Sequence, residues 1–371
     1  MVWRSSRFLV GAIIASLVGV TLWMLPPGRE PSVPVFAAPR ERPDWEPVGK
    51  SKDAARAELL RKARVWTETN PARADLSANP PDPTSALSEA LVRCRYVSSA
   101  AHGTTAKFDC VLPDGEVVKV KYGHTGEIHA EVAATRLLSA LGFGADRMFL
   151  IPRLRCYGCL RSPFYAVIAL DYVRAREAVT GSIPDERYTD FEWVAVERRF
   201  DGIAVETDNK EGWSWFELDA VDPAHGANRA ERDALRLLAM FLAHWDNKAE
   251  NQRLVVRPEP FAYIHDLGAT FGPNKLDLDG WQQAPVWSDR ATCSVSMKQF
   301  PYGGGTFPDT RISEAGRELL ARQLSALDDQ QVNRLFAAAR FAQFDPSTDV
   351  KAWAETFRSK VQQIVAGGSC E

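Results

Sequence analysis

Residues 243–255 have the sequence AHWDNKAENQRLV and form a short polar run between two apolar segments. Within eight positions the run contains His244, Asp246, Lys248, Glu250 and Asn251, all of which form hydrogen bonds readily. Asp and Asn commonly occur in turns, so one interpretation is a solvated surface loop. The other interpretation is a loop that carries chemistry, and the segments around it decide between the two.

The segments on either side of this run have clear periodicities. Residues 229–244 place apolar side chains at helical spacing and predict a helix that ends at the polar run. Residues 252–257 and 261–265 predict two short strands joined by a proline-containing turn, and Asp266-Leu267-Gly268 follows them. The polar run therefore connects a helix to a hairpin, and an acidic tripeptide lies at the far end of that hairpin.

The first half of the chain is dominated by strand patterns. Five predicted strands carry alternating, β-branched or aromatic side chains, and they lie at residues 92–98, 106–112, 116–122, 147–155 and 164–173. A helix is predicted over 127–141, after the third strand. In that third strand Val118 and Val120 share one face, and Lys119 and Lys121 share the other. These patterns predict a small antiparallel sheet with one inserted helix.

In this order the segments resemble the protein-kinase-like superfamily. The kinase catalytic loop has the form H-R-D-x-x-x-x-N, and here His244-Trp245-Asp246 is followed by Asn251 at the same offset from the aspartate. Asp266-Leu267-Gly268 is similar to the D-F-G motif, and Lys121 matches the lysine of the V-A-I-K strand. Glu131, in the following helix, matches the partner of that lysine. The loose form of the motifs looks more like the atypical branches, which include lipid kinases, HipA-type kinases and secretory-pathway kinases.

The resemblance implies an α+β, two-lobed fold with a small antiparallel-sheet lobe carrying one helix and a larger, mainly helical lobe. It also implies ATP- and Mg²⁺-dependent phosphoryl transfer to a hydroxyl, a reaction that depends on positioning and on charge stabilisation. The residues that would carry it form three pairs: Asp246 and Lys248 in catalysis, Lys121 and Glu131 in binding ATP, and Asn251 and Asp266 in holding Mg²⁺ or Mn²⁺. Carboxylate and amide oxygens are the hard ligands that Mg²⁺ prefers.

The segment expected to cover the phosphates departs from the kinase pattern. Residues 98–105 contain one glycine, where G-x-G-x-x-G has three. This departure leaves two alternatives open: a non-catalytic, nucleotide-binding pseudokinase scaffold, or AMP transfer on the same fold. The formal net charge of −3 gives no basic excess for nucleic acid. The expected partners are therefore a nucleotide and an unidentified protein or small-molecule acceptor.

The N-terminus carries an apolar segment. Residues 8–25 contain no charged side chain and follow Arg4 and Arg7; with about 20 residues needed to span a bilayer, they predict a membrane anchor of borderline length. A signal peptide cleaved after Val35-Phe36-Ala37 is the alternative. The expected divisions of the chain are an anchor in 1–25, a Pro-rich linker with a short helix in 26–84, an N-lobe in 85–175 and a C-lobe in 176–371. We expect a single-pass membrane protein whose catalytic domain is exported rather than cytoplasmic.

Six cysteines permit disulfides in an exported domain. Cys94 and Cys110 lie in neighbouring predicted strands and are candidates for a bridge. Cys156-Tyr157-Gly158-Cys159 is interpreted as a local disulfide or as two plain thiols, because a zinc site needs two further ligands that no second motif supplies.

Overall fold

The computed structural model describes residues 24–41, 43–82, 84–300, 305–366 and 369–370. The chain divides into two compact units. Unit 1 holds the residues up to Arg40, Pro81–Gly123 and Ile151–Val196, and unit 2 holds Glu41–Pro80, His124–Leu150 and Glu197–Glu371. The predicted membrane anchor falls almost entirely outside the described residues. Among the residues that the structure describes, no helix has the length and apolar character needed to cross a membrane.

The main feature of unit 1 is a six-stranded sheet. Its strands are β1 (Gly28–Arg29), β2 (Val92–Val97), β3 (Lys107–Val111), β4 (Val117–Lys121), β5 (Arg147–Tyr157) and β6 (Arg187–Arg198). They are ordered β1-β6-β4-β3-β2-β5, and the last residues of β6 and the first of β5 belong to unit 2. The pairs β2–β3 and β3–β4 are antiparallel, as predicted.

The prediction of a wholly antiparallel sheet is wrong at one position, because β2 pairs with β5 in parallel, with Cys94 opposite Cys156. The 15-residue helix α2 (Gly126–Ala140) lies between β4 and β5 in the chain. A connection of that length returns the chain to the same end of the sheet, which is what parallel pairing requires.

A second correction concerns residues 164–173, which the alternation of large side chains predicts as a strand. They form helix α3 (Pro163–Tyr172), and the short helix α4 (Arg176–Thr180) follows. Pro163 occupies the first turn of α3, where its fixed φ favours the helix and its missing N–H has no cost. A nearly continuous apolar run does not by itself distinguish a strand from a helix.

Unit 2 is mainly helical. It contains α1 (Lys52–Arg61) and α2, the three-stranded sheet β7 (Ile203–Ala204), β8 (Gln252–Arg257) and β9 (Glu259–Ile264), and the small pair β10 (Ser294–Val295) and β11 (Thr310–Arg311). Its other helices are α5 (Arg229–Leu242), α6 (Leu278–Gln283), α7 (Glu314–Ser325), α8 (Asp329–Ala338), α9 (Phe341–Phe344) and α10 (Val350–Val365). Aromatic rings on α6, α8, α9 and α10 surround the buried side chain of Phe271, with Phe271 and Trp281 centroids 5.0 Å apart. This core fixes the segment that follows Asp266-Leu267-Gly268.

Residues 26–84, expected as a linker with a short helix, include β1 and α1. The backbone N–H groups of Ala37 and Arg40 donate to the carbonyls of Pro113 and Gly115 in the turn between β3 and β4. The N-terminal part of this segment is therefore bound along the sheet of unit 1.

Three disulfides cross-link the chain. Cys94–Cys110 and Cys156–Cys159 lie in unit 1, which confirms the expected strand bridge and the local pair. Cys293–Cys370 joins residues 77 positions apart in unit 2. The sulfurs of Cys110 and Cys156 are 3.6 Å apart, so the two pairs of unit 1 are buried side by side.

Candidate active site

Helix α5 and the hairpin β8–β9 hold the ends of the polar run. Asn228 caps α5 by accepting the N–H of Glu231 at 3.1 Å, and the Glu231 carboxylate accepts the N–H of Asn228 at 3.0 Å. At the other end, Ala243 adopts a left-handed conformation with φ 53°, and the N–H of His244 donates to the carbonyl of Ala239 at 2.9 Å. The chain therefore leaves the helix at a defined angle, as helix C-caps do.

The polar run is not a solvated loop. His244, Asn247 and Asn251 are all buried. The Asn247 side-chain oxygen accepts the N–H groups of Thr306 at 2.9 Å and Phe307 at 3.1 Å, and its backbone oxygen accepts the Thr306 hydroxyl at 2.9 Å. These bonds fix the loop next to Asp246. The sequence analysis did not single out Asn247, although it stands directly beside the proposed base.

The loop and the end of the hairpin bring three predicted site residues together. The backbone oxygen of Asn251 accepts the N–H of His265 at 2.8 Å and that of Asp266 at 3.1 Å. The Asn251 side-chain nitrogen donates to the backbone oxygen of Asp246 at 2.6 Å. Asp246, Asn251 and Asp266 therefore form one cluster that is held by backbone hydrogen bonds within unit 2.

Gly268 lies where the backbone passes close to the Glu127 side chain. Its N–H donates to the Asp266 side chain at 3.0 Å, which closes a tight turn. A Cβ at this position would lie 2.2 Å from Cγ of Glu127 and 3.2 Å from the Asp266 carboxylate. Only glycine fits that approach without a shift, since 2.2 Å is far inside van der Waals contact. The Glu127 side chain is therefore next to the Asp266 turn.

Glu127 is the functional candidate that the sequence analysis missed. It lies in the first turn of α2, whose N-cap is Thr125. The structure shows it buried against Gly268 and in an ion pair with Lys275. A usable signal was present, because Glu127 and Glu131 are four residues apart and so lie on one side of the helix.

The surroundings of Asp246 shift its pKa upward. Burial raises the pKa of Asp246, and the neighbouring Asp266 carboxylate acts in the same direction, whereas Lys248 and Lys275 oppose the rise. Lys248 Nζ lies 3.9 Å from Asp246 Oδ1. That oxygen is buried and has no hydrogen-bond partner among the described residues. Two close carboxylates and an unsatisfied oxygen form a donor set that a bound cation would stabilise.

His244 lies beneath this cluster and is completely buried. Burial lowers the pKa of His244 to about 4, and the negative charge of Asp266 opposes this only in part. The imidazole is therefore neutral at neutral pH.

A second group of polar residues fixes the backbone before Asp266. The His265 ring is hydrogen-bonded to the Asp146 carboxylate, which also accepts the Phe200 N–H at 2.6 Å. Ligand atoms of Asp146, Glu197 and His265 lie within 4.8 Å of one another, and all three residues are buried. Since the His265 N–H is bonded to Asn251, this group sets the position of the chain one residue ahead of Asp266.

The two predicted ATP-binding residues lie in different units. Lys121 is the last residue of β4 in unit 1 and is 2% exposed, whereas Lys119 on the same face of the strand is partly exposed. Burial therefore distinguishes the two lysines that the sequence pattern left equivalent. Glu131 lies on α2 in unit 2 and is fully buried. The pairing of Lys121 with Glu131 stays a prediction.

The oxygen donors in unit 2 suit a hard cation. Asp246, Asp266 and Glu127 supply carboxylates, and Asn251 supplies an amide, the ligand types that Mg²⁺ and Mn²⁺ take in proteins. The roles of Asn251 and Asp266 as metal ligands, and of Asp246 and Lys248 in catalysis, stay predictions.

Comparisons with known proteins give likenesses among solved structures. No family model matches the chain, and no curated protein sequence matches it. Among solved structures, the crystal structure of the proinflammatory kinase CtkA of Helicobacter pylori is similar, with 12% sequence identity and a TM-score of 0.38. That match covers 74% of this chain and 92% of the kinase chain. A likeness of this degree assigns the chain neither a family nor an activity.

Proposed function

We propose that this chain is a two-lobed, kinase-like phosphotransferase that uses ATP and Mg²⁺ to phosphorylate an unidentified hydroxyl acceptor. The observation that carries the proposal is the hydrogen-bonded cluster of Asp246, Asn251 and Asp266. Phosphoryl transfer requires oxygen donors for a metal and an aspartate near the acceptor hydroxyl, both at fixed positions. The cluster offers both, from the polar loop and from the end of the hairpin beside it.

Asp266 and Asn251 are the proposed metal ligands. The Asp266 carboxylate is oriented by the Gly268 N–H, and the Asn251 side chain by the Asp246 backbone. Bound Mg²⁺, or Mn²⁺, supplies the positive charge that neutralises the triphosphate. Glu127, next to Gly268, is close enough to the turn to orient this group or to add a further oxygen.

Asp246 is the proposed base. A raised pKa brings a carboxylate closer to the pH of its surroundings and makes it a better proton acceptor. Its side chain is only partly buried, at 24% exposure, so an acceptor hydroxyl can reach it. Lys248, with its ammonium 3.9 Å away, is placed to contact the transferred phosphoryl group.

Lys121 and Glu131 are proposed to bind the ATP phosphates, the lysine through its charge and the glutamate by holding the lysine. Both side chains are buried, and a buried charge is retained in proteins when it is paired. This part of the proposal rests on the resemblance and on burial.

We further propose that the protein is a single-pass membrane protein with an exported catalytic domain. The uncharged segment 8–25 supports the anchor. Three disulfides support an oxidising compartment, since such bonds are rare where thiols are kept reduced.

The proposal is tested with the full-length chain in detergent. ATP labelled at the α- or the γ-phosphate is supplied with Mg²⁺ and a mixture of candidate protein and small-molecule acceptors, and nucleotide binding is followed by thermal stability. Label transfer from the γ-position that requires Mg²⁺ and is lost in Asp266→Asn supports a kinase. Transfer from the α-position supports AMP transfer, the alternative raised by the single glycine in residues 98–105.

Two results would contradict the proposal. Nucleotide binding with no transfer of either label, including to the chain itself, supports the pseudokinase alternative. No stabilisation by ATP at any metal concentration means that the loop is a structural turn.

A further inference from the structure

Helix α3 is apolar on both of its faces. Its inner face carries Phe164, Ala166, Val167 and Leu170, which are buried in unit 1. Its outer face carries large apolar side chains that are strongly exposed: Tyr165 at 61%, Ile168 at 49%, Tyr172 at 90% and the adjoining Val173 at 60%. These positions are three, four and one residues apart, so they form one stripe along the helix. A helix that is apolar all round is typical of a fully buried or membrane-bound helix rather than one facing water.

This concentration is unusual within the molecule. Eleven large hydrophobic side chains are exposed among the described residues, and four of them are in this one stripe. Another, Leu25, directly precedes Pro26 and is 37% exposed. The remaining ones, such as Val35, Val48 and Phe216, are scattered along the sequence. Single exposed apolar residues are ordinary, whereas a contiguous patch marks a surface that is covered by something.

The N-terminal part of the described chain enters unit 1 beside α3. The backbone oxygen of Met24 accepts the N–H of Arg161 at 3.0 Å, two residues before the helix begins. The Met24 side chain packs against a cluster that includes Ala166 and Leu170 of α3. The end of the uncharged stretch 8–25 therefore packs against the core cluster to which this helix contributes.

The chain runs directly from Met24 into the sheet of unit 1, without a free linker between them. Gly28 and Arg29 pair with Tyr188 and Arg187 of β6, and the N–H of Glu30 donates to the Glu186 carbonyl at 2.9 Å. Residues 24–30 are thus bound to unit 1 along most of their length. If residues 8–25 enter a bilayer, unit 1 is held at the bilayer surface and not on a tether.

We propose that the outer face of α3 lies on the lipid bilayer, with Tyr165, Ile168, Tyr172 and Val173 inserted at the level of the headgroups. The end of the apolar segment packs against the core cluster that includes two residues of α3, so α3 lies beside the point where the chain would meet the membrane. Tyrosine is the aromatic residue, with tryptophan, that is enriched at membrane interfaces.

The charges around the stripe fit an anionic membrane surface. Arg161 precedes α3 and Arg174 follows it, and both are exposed. The single acidic residue of the helix, Asp171, is in an ion pair with Arg176 at 3.3 Å. Exposed arginines beside an apolar helical face bind anionic headgroups while the apolar side chains insert. This inference is independent of the proposed phosphotransferase activity.

The test uses the full-length chain in nanodiscs of phosphatidylcholine and phosphatidylglycerol that contain a phospholipid with a photoactivatable diazirine in its acyl chain. After irradiation, lipid adducts are mapped by peptide mass spectrometry. We expect adducts on residues 163–173 as well as on the apolar segment 8–25. In the double variant Ile168→Ser/Tyr172→Ser, adducts on α3 should fall at least about fivefold, while those on 8–25 are unchanged.

The variant residues are exposed, so their replacement leaves the core of unit 1 intact. Val48→Ser, at a side chain that is 96% exposed in unit 2, is the matched control and should alter neither set of adducts. Adducts on 8–25 without adducts on α3 would overturn the proposal. So would a complete absence of adducts, or cross-links between α3 helices of two chains together with a dimeric mass, because the face would then be covered by a second copy.

Discussion

His265 and Asp266 are neighbours in the chain, and each lies in a different kind of acidic cluster. His265 is closed in with Asp146 and Glu197, all of them buried and mutually within 4.8 Å. Asp266 lies with Asp246, whose side chain is 24% exposed and whose Oδ1 has no hydrogen-bond partner among the described residues. The comparison shows that the His265 ring and the Asp146 carboxylate are bonded to each other, whereas Asp246 Oδ1 has no hydrogen-bond partner among the described residues. Substitutions in the two clusters should therefore have opposite effects on stability and activity.

The largest effect is expected for Asp266→Asn. Loss of the carboxylate removes the proposed metal ligand, and phosphotransferase activity should fall at least about 1,000-fold. Stability should hardly change, because the asparagine oxygen can still accept the Gly268 N–H. Initial rates and thermal unfolding of the same preparation measure both quantities. An active Asp266→Asn protein would remove Asp266 from the mechanism.

Asp246→Asn should lower the rate about 100-fold or more, the usual contribution of a general base. Stability at neutral pH should be equal or higher, because the substitution removes a charge that burial disfavours. In the wild type the carboxylate must be ionised to act, so the rate falls as the pH decreases through the Asp246 pKa. Since that pKa is raised, the acid limb should lie above 3.8. A rate profile whose acid limb is the same in Asp246→Asn would assign the limb to another group.

Asp146→Ala should lower the stability of the folded chain. It leaves the His265 ring and the Phe200 N–H without an acceptor in a buried site, which costs about 2–5 kcal/mol of unfolding free energy. Chemical denaturation at neutral pH measures this loss. Asp201→Ala is the matched control, since Asp201 forms an exposed ion pair with Arg147 and its loss should cost less than about 1 kcal/mol. Equal losses for the two variants would mean that the buried group does not stabilise the chain.

The smallest effect is expected for Lys275→Met. The Lys275–Glu127 pair is partly exposed at the lysine but buried at the glutamate, so the unfolding free energy should fall by about 1–3 kcal/mol. Activity should fall about fivefold, because the variant removes a charge that orients Glu127 beside Gly268 and acts on Asp246. Lys298→Met breaks the exposed pair with Asp309 and should leave activity unchanged. If the two variants had identical activities, Glu127 would have no role in the reaction.

The loop, the hairpin and helix α5 were predictable because their signals are local. The helix has periodic apolar residues and a capping box at Asn228 and Glu231, and the loop has a characteristic spacing from Asp246 to Asn251. Contacts that close over short stretches of chain leave such patterns. The backbone bonds between Asn251 and Asp266 follow from the length of the hairpin between them.

The features that were missed depend on contacts between distant parts of the sequence. Helix α3 was predicted as a strand because its outer face is apolar, which hides the helical period. The parallel pairing of β2 with β5 depends on how α2 returns the chain. The spacing of Glu127 from Glu131 places both on one side of α2 but does not specify Gly268, 141 positions later in the chain, and the alternation of the strand leaves Lys121 and Lys119 equivalent.

The Cys293–Cys370 disulfide gives unit 2 a covalent ring that contains α7, α8, α9 and α10. A protease that cuts a single peptide bond inside this ring cannot release a fragment, because the bridge still joins the two pieces. The nicked protein would migrate at its original mass on a gel without reductant and would separate into two bands once the bridge is reduced. The bridge thus keeps the C-terminal helices covalently attached after a single cut, and Cys293→Ser should abolish this attachment.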